Sequence, residues 1–147
     1  MSKAIIELQQ LSLSQQQSKH PNYPKDYLVT PKFETKTANG LTKAIVLYID
    51  LKGGYASRIN VSGVYDAKLK KHRYGTTKKG FADIQGLVNG IALYVEVKIG
   101  NDRQSEHQKQ FQQQITLSGG LYFIAKDFES FVSWFKQTVI KKGGANG

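Results

Sequence analysis

Asp83, Glu96 and Lys98 are the residues whose types and spacing can do chemistry together in this chain. Asp83 and Glu96 lie on either side of Asn89-Gly90, and the apolar, β-branched runs 81–88 and 91–99 flank that dipeptide. Asn-Gly is the strongest short-range signal for a two-residue β-hairpin, because the tight turn needs φ > 0 at both central residues. Such a loop fixes the register. Val88 faces Ile91, Gly86 faces Leu93, and the count continued outward sets Asp83 opposite Glu96. Directly opposed residues share a sheet face with Cβ atoms roughly 4.5–5.5 Å apart. Lys98, two residues beyond Glu96, shares that face by the period-2 alternation of a strand. Two like charges so placed repel unless something positive sits between them. A divalent cation supplies it, since carboxylate oxygens are the ligands Mg²⁺ and Ca²⁺ take. The other reading of the same spacing is a solvated polar face on which Lys98 bridges the acids as a surface ion pair.

The hairpin needs a core behind it. One face carries Ala82, Ile84, Val88, Ile91, Leu93, Val95, Val97 and Ile99; the other carries Asp83, Gln85, Tyr94, Glu96 and Lys98. Upstream, 3–12 read as a short amphipathic helix with Ile5, Leu8, Ile6 and Leu11 on one side. The Gln-rich stretch closed by Pro21 and Pro24 reads as a linker. The pattern from Leu41 to Leu51 predicts a helix burying Leu41, Ala44, Ile45, Tyr48 and Ile49, stopped by Lys52-Gly53-Gly54. Residues 55–61 have strand composition, with Ala56, Arg58 and Asn60 on one face. Then 63–80 turn cationic, as a strand or flexible hairpin carrying Lys68, Lys70, Lys71, Arg73, Lys78 and Lys79. Six cations within twelve residues, delivered straight to Asp83, favour contacts to nucleic-acid phosphates.

Beyond Lys98, Ser105-Glu106-His107-Gln108 has the spacing of a capping box and opens a helix running to Ser118. His107 reads as a surface or packing residue. Leu121–Ala125 predict a short buried strand, parallel and adjacent to a sheet strand by right-handed crossover. Asp127 caps a last helix that turns Phe128, Phe131, Val132 and Phe135 inward, with Trp134 off that stripe for packing or contact. The order helix, strand, hairpin, helix, strand, helix predicts an α/β fold: a mixed sheet of about four strands flanked by helices. The division expected is 1–36 helix and linker, 37–140 folded domain and 141–147 disordered tail.

A chain of 147 residues buries a real core as one domain. It has no cysteine, so disulfides and thiolate metal sites are excluded. No apolar run approaches the ~18 residues of a membrane span and no signal peptide opens the chain, so a soluble intracellular protein is expected. Lys plus Arg number 21 against 11 acids, a formal charge of +10. That excess favours a polyanionic partner, nucleic acid before an anionic membrane. No Ser-His-Asp arrangement, cysteine nucleophile or phosphate-binding glycine loop competes with the acid pair.

Asp83 followed by Glu96-Val97-Lys98 resembles the D…E-x-K signature of the PD-(D/E)XK nuclease superfamily. The wording K-G-F-A-D-I-Q-G-L, Y-V-E-V-K and Q-S-E-H-Q is similar to its VRR-NUC branch, from about Leu41 to Phe135. The resemblance implies a restriction-endonuclease-like core and metal-dependent hydrolysis of a DNA phosphodiester. Asp83, Glu96 and the Val97 carbonyl would hold Mg²⁺, with Mn²⁺ as a substitute, and Lys98 would orient the attacking water or stabilise transition-state charge. It adds Gln108 beside the acids and Arg58 and Asn60 on a phosphate, the other reading of Arg58 and Asn60 being a solvent-facing strand edge. It also implies a homodimer acting on branched DNA such as four-way junctions, as in many phage-borne members. One departure stands out: relatives place another acid on the first core helix, whereas 41–51 holds only Asp50, at the far end. Glu34 or Glu7 would have to substitute. The rival reading is a non-catalytic DNA-binding or regulatory module on a decayed nuclease scaffold; a third is a membrane-surface protein using its N-terminal helix.

Overall fold

The turn at Asn89-Gly90 is where the sheet begins. Both residues have positive φ, 50° and 79°, as a two-residue hairpin turn requires. The computed structural model describes residues 1–59, 64–73 and 78–141, with the backbone alone for 64–66 and 71–73. Strands β4 (Ile84–Val88) and β5 (Ile91–Val97) pair antiparallel in the expected register, from Val88 with Ile91 out to Ile84 with Val95. One step beyond that ladder, the same register sets Asp83 against Glu96, and the Asp83 side chain reaches the Val97 N–H. β1 (Tyr55–Arg58) pairs antiparallel with β4, and β6 (Leu121–Ala125) pairs parallel with β5. The result is a four-stranded mixed sheet in the order β1-β4-β5-β6, within an α/β fold. β2 (Val64–Asp66) and β3 (Lys71–Arg73) form a separate antiparallel hairpin in the cationic stretch.

Helices cover both faces. α2 (Ala38–Leu51) and α4 (Phe128–Trp134) pack on the apolar face, and α1 (Lys3–Lys19) packs over both of them. The five α2 residues expected inside are buried, as are Phe128, Phe131, Val132 and Phe135. Tyr48 is the hub there, meeting Phe128, Phe131 and Phe135 edge-on with ring centroids 5.4–6.0 Å apart. Trp134 is a packing residue, stacked on Phe123 at 4.7 Å. On the opposite face, α3 (Glu106–Leu117) lies against β6.

Three expectations change. The first helix runs to Lys19 rather than 12, and buries Ala4, Leu8 and Ser12 instead of Ile6. Its glutamines are good helix formers and their amides bind the returning linker: Gln9 Nε2 donates to the Pro31 carbonyl and Gln16 Nε2 to that of Val29, at 3.0 and 2.9 Å. β6 is only half-buried over its first four residues, because it closes one edge of the sheet. The last helix changes pitch at Phe135, continuing to Ile140 as a π-helical segment.

Candidate active site

Three elements converge at one end of the sheet: the residues entering β4, the end of β5, and the first turn of α3. Ile59 N–H donates to the Asp83 carbonyl at 2.7 Å, extending the β1–β4 ladder to the acid's own backbone. Two residues upstream, Phe81 packs its ring on Phe111 of α3 and on Tyr94 of β5, at 4.6 and 5.7 Å. Gly80 has φ of 79° and abuts the α3 backbone so closely that a Cβ there would fall 2.3 Å from the His107 carbonyl carbon. A larger residue would push the strand entry and helix start apart.

The α3 start is fixed by the expected capping box, both halves of which are present. Ser105 Oγ accepts from the Gln108 N–H at 3.2 Å, and Gln108 Oε1 accepts from the Ser105 N–H at 2.9 Å. With its Oε1 held that way, Gln108 turns Nε2 toward β5 and donates to Glu96 Oε1 at 2.9 Å. The cap therefore positions the acid. Asp83 reaches across the hairpin, its Oδ2 accepting from the Val97 N–H at 2.8 Å. Lys98 Nζ lies 3.6 Å from Glu96 Oε1 and 3.5 Å from Asp102 Oδ2. Asp83, Glu96, Lys98 and Gln108 are thus brought together, with the Val97 backbone among them.

The surface ion pair is ruled out by burial: Glu96 is 2% exposed and Lys98 7%. Glu96 Oε2 is buried with no hydrogen-bond partner, and an orphaned buried carboxylate oxygen calls for an explanation such as an ion. Burial first, then the neighbouring Asp83 charge, push Glu96 up to about 8, with Lys98 pulling the other way. Such an acid takes up a proton or a cation. Among the described residues no group of three His, Cys, Asp or Glu converges as a metal cage. Two carboxylates and a carbonyl are nonetheless a fitting donor set for Mg²⁺, which keeps several waters and binds through one or two carboxylates plus substrate phosphate.

Other candidates fall elsewhere. Arg58 is opposite Ile84 and so on the apolar side of the sheet, where its Nη1 donates to Asn39 Oδ1 at 2.6 Å, near the α2 start. It is not brought to the acids. Glu34 lies just ahead of α2, whose N-cap is Thr37, and accepts from the Thr37 hydroxyl and from the Lys36 and Thr37 N–H groups, which hold its carboxyl below the usual range. Glu7 binds Lys136 at 2.7 Å and the Tyr48 hydroxyl at 3.2 Å. Asp50 accepts from the Ala56 N–H at the far end of α2. None of these three joins the pair. Lys68 and Lys70 are exposed at the β2–β3 turn and Lys78 and Lys79 are exposed before Gly80. Lys71 and Arg73 lie on β3, their side chains not described; Asn60 and the tail from 142 lie outside the described residues.

Sequence reasoning missed Asp102, Gln104 and Tyr122. Gly100, at φ of 63°, turns the chain so that Asp102 meets Lys98; the I-G-N-D turn was the available signal. Gln104 Nε2 donates to Tyr122 Oη at 3.2 Å and to Gln112 Oε1 at 3.0 Å. No helix among the described residues is long and apolar enough to cross a membrane. Comparison with known proteins gives no match: none to a family model, none to a curated protein and none to a solved structure.

Proposed function

We propose that the chain is a metal-dependent endodeoxyribonuclease of the PD-(D/E)XK type, VRR-NUC-like, acting on branched DNA. The observation that carries this reading is the buried Glu96 carboxylate, one oxygen unpartnered, opposite Asp83 and 3.6 Å from the Lys98 ammonium. Asp83, Glu96 and the Val97 carbonyl are the groups that would hold Mg²⁺, with Mn²⁺ as a substitute. When bound there, such an ion would supply Lewis-acid activation of the phosphoryl group and of water. Lys98, paired with Glu96 and Asp102, would orient the attacking water or offset negative charge in the transition state. Gln108 keeps Glu96 in its rotamer. The net charge of +10, with lysines on the segment leading to Asp83, supplies attraction to the DNA backbone. A two-fold homodimer would present two such sites to two strands.

The test is incubation of the protein with linear, flapped and four-way-junction DNA, with Mg²⁺, with Mn²⁺ and with chelator. Metal-dependent cutting is expected, falling at least ~10³-fold in Asp83→Ala and Lys98→Ala while their circular dichroism stays unchanged. Undiminished turnover in Asp83→Ala would remove the site. A DNA-binding module without catalysis is favoured by one observation, the lack of a third acid beside the pair among the described residues. It expects salt-sensitive DNA binding with no cutting in either metal.

A further inference from the structure

Tyr122 occupies an unusual position for a tyrosine on an edge strand. In the parallel β5–β6 register it lies beside Tyr94, and Ile124, two residues on, lies beside Glu96. Tyr122 therefore points to the same face as the acids, set back by a two-residue rise of roughly 6–7 Å, a distance a tyrosine side chain can span. Its ring is walled by Phe111 at 6.3 Å. Burial, and the charges of Glu96 and Asp83, make its ionisation harder and push it up to about 12. The phenol thus stays neutral and feels both carboxylates, yet it forms a hydrogen bond with neither.

Among the described residues its one hydrogen bond is to Gln104. The Gln104 amide donates both of its hydrogens, one to Tyr122 Oη and one to Gln112 Oε1. The phenol oxygen is then an acceptor, and its own hydrogen has no acceptor among the described residues. Turning both amides over moves the surplus without removing it: the Tyr122 hydrogen is then used and the Gln104 amide hydrogens are left. Either way the pair keeps a donor it does not use internally. A half-buried donor without an acceptor, close to a site whose acids suit a cation, is arranged for an anion bound to that cation.

We propose that Gln104 and Tyr122 form a phosphate subsite, donating a hydrogen bond to a non-bridging oxygen of a nucleic-acid phosphodiester seated at Asp83 and Glu96. This rests on the metal-site reading above and extends it to substrate binding. Gln104 lies immediately before the Ser105 cap, so the loop that starts α3 serves both the acid and the phosphate. Lys98 and the pair would flank one phosphate from two sides.

The probe is a fluorescein-labelled DNA duplex titrated with the full-length protein in Ca²⁺, a hard cation used here to support binding without turnover, and separately in chelator. Wild-type protein is expected to bind more tightly in Ca²⁺. Tyr122→Phe should lose about tenfold of that Ca²⁺-dependent affinity, the worth of a hydrogen bond to a charged group, and keep its affinity in chelator. Gln104→Ala should lose a similar share, and thermal melting should confirm that both variants fold. If Ca²⁺ leaves wild-type affinity unchanged, the metal-site reading and this subsite fail together. If wild type responds and both variants respond equally, the subsite alone is wrong. A loss of the same size in chelator would also overturn it, because that is the mark of a general structural defect.

Discussion

The two faces of the four-stranded sheet are built to opposite rules. Toward α2 and α4 the contacts are Leu41, Ile45, Tyr48, Ile49, Phe128, Phe131 and Phe135 on Ile84, Leu93 and Val95, all of them fully buried. Toward α3 the same strands bury a carboxylate, an ammonium and a half-buried acid under a single helix, with an aromatic cluster of Phe81, Tyr94, Phe111 and Tyr122 beside them. Apolar burial supports the first face at roughly 25 cal/mol per Å². The second costs stability wherever a charge lacks a partner, and Glu96 Oε2 is such a place. A stable apolar layer on one side is what permits a polar, incompletely satisfied layer on the other.

Breaking the apolar face should give the largest effect on stability. Phe131 touches Tyr48, Phe128, Phe123, Trp134 and Phe135 through its ring. Phe131→Ala should cost about 3–5 kcal/mol from lost burial and the cavity left behind. The urea midpoint reads this directly, and a loss under 1 kcal/mol would mean the face collapses around the gap. The same assay on Glu96→Gln, which removes the charge and keeps the shape, should give no loss at low pH and a gain that grows from about pH 4.5 and levels off above about 8.

A change of pH sharpens the contrast without mutation. Glu96 has its folded value raised from 4.5 to about 8, so the folded state holds a proton that the unfolded state has released. Stability from this group is fully present below about pH 4.5 and is lost as pH rises through about 8. Between those limits the metal-free protein should lose a few kcal/mol, with about 5 kcal/mol as the ceiling set by the full shift. Glu96→Gln should flatten that slope. Added Mg²⁺ should raise the melting temperature more at pH 8.5 than at pH 6, because a ligand must shed its proton to bind. A pH-independent melting temperature in chelator would show that Glu96 is already charged.

The apolar face was legible in the sequence and the polar one only in part. Helix periodicity identified the α2 and α4 stripes, and Asn89-Gly90 fixed the register that sets Asp83 against Glu96. Those signals are local, carried within a few residues of the feature they specify. The burial of Glu96 and Lys98 was not legible, because it depends on how the turn 98–105 folds α3 back so that Gln108 meets Glu96, and that turn carries no periodicity. Arg58 shows the same limit. Alternation grouped it with Ala56, but only the pairing of Ala56 with buried Gly86 reveals that this face turns toward α2. Asp102 and Gln104 lie in a turn with no periodicity to read, and Tyr122 reads in sequence as one more apolar strand residue.

The smallest expected effect tests the joint between local signal and polar face. Ser105 caps α3, and its partner in that box, Gln108, is also the donor to Glu96. Ser105→Ala should cost about 1 kcal/mol, as cap removals do, while Ser105→Asp should restore it because aspartate caps equally well. If the cap positions Gln108, Ser105→Ala should also weaken the effect of Gln108→Ala, and the two losses in a double-mutant cycle should sum to more than the double variant's. Additive losses would mean that the Phe111 cluster alone seats α3. The helix start would then be a bystander, and Glu96 would owe its orientation to Lys98.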